Sequence, residues 1–122
     1  MIVNVVSIRG ATTVENNNRS DIISSTKDLL LKISKVNKLN KENVISIIFS
    51  STKDLNSEYP AKAARLLGYT QCGLMCFAEM DVEGSIEKCI RVLILYQGNL
   101  KQKDVKHVYL KGAKFLRPDL SE

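Results

Sequence analysis

Val44-Ile45-Ser46-Ile47-Ile48-Phe49 is the stretch on which the fold turns. Its composition predicts a strand buried on both faces, the pattern of a sheet sandwiched between layers. A short polar turn, Asn40-Lys41-Glu42-Asn43, leads into it. Before that turn, Ile22, Thr26, Leu29, Ile33 and Val36 recur at alternating spacings of four and three, flanked by Ile23 and Leu30. That stripe is too short for a coiled coil and predicts a helix packed on the sheet. The Asn16-Asn17-Asn18 run predicts a loop, with Asn18 or Ser20 as helix cap and Asp21 in the first turn. Further out, Val3, Val5 and Ser7 alternate with Asn4, Val6 and Ile8, a first strand ending at Arg9-Gly10. On the other side, Pro60 starts a second helix that Gly68 ends. Leu74 to Phe77 and Ile90 to Tyr96 read as strands, and Val108 to Leu116 as extended with a break at Gly112. The segment from Arg117 to Glu122 reads as a loose, flexible tail. Interleaved strands and helices place the chain in the α/β (α+β) class, a mixed β-sheet with two main helices packed on it.

Composition narrows the function classes. The chain has 122 residues, which fits one domain over 1–122. A chain of this size buries about two-thirds of its unfolded surface without disulfide or metal staples. No apolar run approaches the roughly 20 residues of a membrane span, so no membrane partner is expected. Three cysteines, an odd number, and a start without a basic leader point to the cytoplasm. The net charge of +5 comes largely from lysines at positions 27, 32, 35, 38 and 41 and again at 101, 103, 106, 111 and 114. Neither group interleaves aromatics with arginine, so they read as solvated faces and no nucleic-acid partner is expected.

The absences are informative. His107 is the only histidine, and the chain has no serine elbow, phosphate loop or dinucleotide fingerprint. Cys72, Cys76, Cys89 and His107 do not match a zinc spacing, so no metal and no cofactor is expected. Only five of the 18 basic residues are arginine, and four of these sit in apolar or tightly turned contexts: Arg9, Arg65, Arg91 and Arg117. Alternation puts Arg91 on the strand face of Leu93 and Leu95. An unpaired guanidinium there is costly, so it must meet either an anionic ligand or an internal carboxylate such as Glu79 or Asp81. Glu79, among apolar neighbours, has the same character in the opposite sign. Tyr109, in Val108-Tyr109-Leu110, suits either a core position or a ligand contact.

Taken together, these residues resemble a known family. Ile8-Arg9-Gly10-Ala11-Thr12-Thr13-Val14-Glu15 is similar to the opening motif of the monofunctional, trimeric chorismate mutases of the AroH class. Tyr59-Pro60-Ala61-Lys62-Ala63, Glu79-Met80-Asp81-Val82, Lys88-Cys89-Ile90-Arg91-Val92, His107-Val108-Tyr109-Leu110 and Leu116-Arg117-Pro118-Asp119-Leu120-Ser121 follow in the family's order. The resemblance implies conversion of chorismate to prephenate, an intramolecular Claisen rearrangement that needs no nucleophile, metal or cofactor. It also implies a homotrimeric pseudo-barrel with each active site built from two neighbouring subunits. By the same resemblance Arg91 serves the ether oxygen and Arg9 and Tyr109 a carboxylate. Glu79 and Cys76 attend the ring hydroxyl. Tyr59, Ala61 and Leu74 wall the pocket, and Lys62, Arg65 and Arg117 stand at its entrance, with Leu116 beside them. Met75 stands where the family usually has a small hydroxyl residue. Tyr59 replaces a common phenylalanine. A trimeric module that binds an anionic metabolite without turnover is the alternative reading.

Overall fold

A computed structural model describes residues 3–116. The elements run β1 (Asn4–Thr13), α1 (Arg19–Asn37), β2 (Val44–Ser51), α2 (Ala61–Leu66), β3 (Gly73–Ala78), β4 (Cys89–Gly98) and β5 (Val108–Tyr109). The strands form one mixed sheet in the order β3-β2-β4-β1-β5. β4 is antiparallel to both of its neighbours, while β3 follows β2 and β5 follows β1 in parallel.

Both helices lie on one face of this sheet. α1 begins where Asn18 accepts from the Asp21 N–H at 2.8 Å, and ends at Lys38 in the left-handed region. Its stripe of Ile22, Leu29, Leu30 and Ile33 meets Val6 and Ile8 of β1, Ile47 and Phe49 of β2 and Ile90, Val92 and Ile94 of β4 in one buried cluster. Each such side chain contributes roughly 1.5–3 kcal/mol by leaving water. α2 is short and rich in alanine, burying Ala61, Ala63 and Ala64, and Gly68 closes it at φ +94°. Asn40 caps the 3₁₀ turn that leads into β2.

Three expectations need correction. β1 does not end at Arg9-Gly10 but continues to Thr13. Gly10 is a point of close approach and not a turn: a methyl group there would lie 2.8 Å from Ile33 Cδ1 and 3.0 Å from the Val108 carbonyl. β2 is not buried on both faces, because Ile47 and Phe49 face the helices while Ile48 and Ser50 lie on a half-exposed side. Finally, Val108 to Leu116 is extended only over two residues. The chain then turns at Lys111, φ 53°, into a 3₁₀ helix over Lys111–Phe115. The Gly112 N–H there is held by Thr13 Oγ1 at 3.1 Å.

The outer edge of β1 is finished largely by side chains. The Gln102 amide accepts from the Ser7 N–H and donates to the Ser7 carbonyl, both at 2.8 Å. Asn37 clasps the backbone of Lys106 in the same two-handed way, again at 2.8 Å. His107 Nδ1 accepts from the Arg9 N–H at 2.9 Å. The segment between β4 and β5 is thereby tied to the sheet before the two-residue β5 begins. The Arg117–Glu122 tail lies outside the described residues.

Candidate active site

Strand register gathers the first group of side chains. Ala11 pairs with Arg91, Arg9 with Leu93, Ser50 with Arg91 and Ala11 with Tyr109. Arg9 and Arg91 therefore reach the sheet face away from the helices, where Tyr109 closes one end. With Ser50 and Leu93 they line a cavity of about 270 Å³. Arg91 is not a buried guanidinium, since 48% of its side chain is exposed. It owes this to a sheet face that has no second layer among the described residues. Its Nε lies 3.1 Å from Glu79 Oε2, which also accepts from the Ser50 hydroxyl at 2.7 Å. The Glu79 N–H donates to the Ser51 carbonyl at 2.9 Å, prolonging the β2–β3 pairing and fixing where the carboxylate starts. Of the two internal partners considered for Arg91, Glu79 is the one used, and Asp81 pairs instead with exposed Lys53. Arg9 has no carboxylate partner among the described residues.

Cys89 sits under Arg91, with Tyr109, Ala11 and Ala113 in a small second cluster that Ile86 and Leu116 flank. Burial pushes its thiol up to about 11 against the opposing pull of Arg91, so it is neutral at physiological pH and no nucleophile. The entry to β4 is held by Asp54. Its carboxylate accepts from the Lys88 N–H at 2.9 and 3.1 Å and from the Thr52 hydroxyl. Thr52 Oγ1 in turn accepts from the Cys89 N–H at 3.0 Å. Lys88 takes the left-handed conformation at φ 47°, a strained turn that these bonds hold three residues before Arg91.

A second group lies elsewhere. Leu74 and Cys76 pair with Ile47 and Phe49 and so pack towards the helices. Burial raises the Cys76 thiol, with the Ala61 backbone and the Arg65 charge opposing. Tyr59, 69% exposed, and Cys76 line a cavity of about 490 Å³ together with Ser57, Pro60 and Phe77. Ala61 is buried there, and Arg65 is exposed on the same short helix. Lys62 is half-buried beside it. Met75 is exposed on the opposite side of β3, next to Ile48. Within one chain, then, Cys76, Ala61, Leu74 and Arg65 do not meet Arg91. Arg117 lies outside the described residues.

The family model for chorismate mutase type I matches residues 5–120. This chain belongs to that family. The chorismate mutase AroH of Bacillus subtilis is 45% identical over 115 residues, covering 93% of this chain and 91% of the relative. That of Thermus thermophilus is 43% identical over 117 residues, covering 95% and 96%. A solved chorismate mutase from Clostridium thermocellum superposes with a TM-score of 0.88 at 50% identity, over 89% of this chain and 97% of that one. The reaction is conversion of chorismate to prephenate, an isomerisation in aromatic amino-acid biosynthesis.

In this chorismate mutase the mixed sheet and its two helices are those of the family, as the sequence motifs implied. Ser50, Thr52, Asp54 and the ring of His107 as a backbone acceptor were not legible as parts of the site. Ser50 and Thr52 fall in a polar close to a β-strand, which by itself reads as nothing more than a strand end. Among the described residues, no helix is long and apolar enough to cross a membrane.

Proposed function

We propose that the chain acts as one chorismate mutase domain in the cytoplasm, that Arg91 is the principal catalytic group, and that each active site is completed by a neighbouring copy. The observation that carries this is the Arg91–Glu79 pair at a cavity shared with Arg9 and Tyr109. Chorismate carries two carboxylates. Its breaking carbon–oxygen bond leaves negative charge on the ether oxygen and positive charge on the ring. Two arginines and one glutamate supply the matching signs. Arg91, with Nε turned to Glu79, presents its terminal amino groups to the ether oxygen and a carboxylate. Arg9 and Tyr109 take a carboxylate. Glu79 accepts from the ring hydroxyl and lies near the developing positive charge. Holding the compact reactive conformer removes much of the barrier through lost freedom, and the fixed cation lowers the rest.

The two separate groups of side chains support a site between chains. Tyr59, Ala61, Lys62, Arg65, Leu74 and Cys76 would meet Arg91, Arg9, Glu79 and Tyr109 across an interface, with Met75, Leu116 and Arg117 at its margin. An uncovered sheet face bearing Val5, Ile48, Leu93, Leu95 and Phe77 supports association with further copies, because a face this apolar needs a second layer, and the family resemblance makes that assembly a trimer. Three free cysteines suit a reducing compartment.

The test is loss of chorismate absorbance, corrected for the spontaneous reaction, with mass from light scattering on the same samples. Arg91→Ala should lower turnover by about 100–1000-fold or more while mass and fold are kept. Full activity in that variant, or a monomeric mass for an active wild type, would overturn the reading. Saturable chorismate binding without prephenate would instead favour the non-catalytic module.

A further inference from the structure

The only histidine in the chain sits at a junction that the chemistry above does not use. His107 Nδ1 lies 2.9 Å from the Arg9 N–H. A backbone amide can only donate, so this ring nitrogen must carry its lone pair and the neutral ring its proton on Nε2. Immediately beyond, β5 continues the edge for only two residues, pairing Val108 with Gly10 and Tyr109 with Ala11. The imidazole thus stands in for a missing strand rung between Arg9 and Tyr109, the two residues read as carboxylate binders.

We propose that His107 is a positioning residue whose neutral, Nδ1-accepting imidazole holds Arg9 and Tyr109 in register for the substrate, so that its protonation weakens chorismate binding. When a proton enters at Nδ1, the ring N–H and the Arg9 N–H face each other as two donors. The rung opens, and Arg9 loses its place on the edge. Lys32 from α1 and Lys114 from the last 3₁₀ turn line one cavity of about 260 Å³ with His107 and Tyr109. Arg9 approaches from β1 and Lys106 precedes the ring. The bond from the Arg9 N–H is made only by the ring whose Nδ1 is free of a proton, and that geometry is what the proposal rests on.

The inference rests on the reading of Arg9 and Tyr109 as substrate binders, and its test separates the two. Because there is one imidazole, its nitrogen resonances in the labelled wild-type protein report tautomer and titration without ambiguity. The Nε2–H tautomer is expected at pH 7.5, and the midpoint of the ring's titration is read from the same resonances. Below that midpoint KM should rise about tenfold per pH unit, because the binding-competent fraction falls, while kcat changes little. His107→Asn keeps an acceptor near Nδ1 but cannot titrate. It should retain activity at pH 7.5 within about threefold and lose the acid rise in KM, whereas His107→Ala should raise KM by roughly 3–10-fold. An Nδ1–H tautomer, or the same acid rise in His107→Asn as in the wild type, overturns the proposal. So does an unchanged KM in a folded His107→Ala. Arg9→Ala is the control: an unchanged KM there defeats the reading of Arg9, and a raised KM with an unaltered His107→Asn profile defeats only this inference.

Discussion

Gly10 shows how one residue serves both fold and site. It looks like a strand stop, and in sequence it hides three further residues of β1. In the folded chain it lets α1 settle onto the strand that carries Arg9. Gly10→Ala would drive a methyl group into Ile33 Cδ1 and, less forgivingly, towards the Val108 carbonyl. The expected cost is about 1–3 kcal/mol, as for other overpacked positions, and denaturant unfolding measures it. Activity should fall with it through the displaced Arg9. Arg91 teaches the complementary lesson. Its place on a face with Leu93 and Leu95 was legible from alternation, and the desolvation argument left its partner open between an internal carboxylate and an anionic ligand. What alternation could not reveal is that this face is open in a single chain, so the guanidinium is half-exposed and its pair with Glu79 leaves it accessible.

Among the elements, β4 is the one that carries Arg91, the proposed catalytic group, and its start is set by side chains from the β2–α2 loop. Burial works to raise the Asp54 carboxyl, but hydrogen bonds from Thr52 and the Lys88 N–H outweigh it and the net shift is downward. A carboxylate held below its unfolded value of about 3.9 stabilises the fold above that pH and stops doing so as pH falls through the lower folded value. Asp54→Asn should cost about 1–2 kcal/mol at neutral pH, since an amide cannot replace both acceptors, and should flatten the acid limb of the stability curve. Thermal unfolding between pH 2 and 7 checks both. The helices and the central strands were readable because local signals agreed: the Asn18 cap, the four-and-three stripe of α1, the Pro60 and Gly68 bracket of α2. The end of the chain was harder. Leu110, Ala113 and Leu116 recur every third residue, and the bonds from the Ala113 N–H to Leu110 and from the Leu116 N–H to Ala113 follow that period. The spacing was present in the sequence, but so short a 3₁₀ run is easily mistaken for extended chain. The rung formed by His107 had no sequence signal, because it pairs residues 98 positions apart.

At the scale of the whole molecule, the open side of β2 bears on the proposed assembly. Val44 to Phe49 is apolar on both sides, yet only one side meets helices. In the assembly proposed above, a second copy covers the other. If the sites lie between copies, the two separated groups of residues acquire a meaning in genetics. A chain with Arg91→Ala still offers an intact Cys76 and Arg65 side, and a chain with Arg65→Ala still offers an intact Arg91 side. Neither variant alone forms a complete site. Co-expressed, they assemble mixed trimers in which one boundary joins the two sound halves. Recovery of up to about a third of the sites in such trimers should be seen by chorismate assay and by rescue of a strain that needs prephenate. No recovery from demonstrably mixed trimers would place every group of one site in one chain. Two defective alleles would then be as inactive together as apart, whereas a site shared between the two sides of this sheet predicts that they complement.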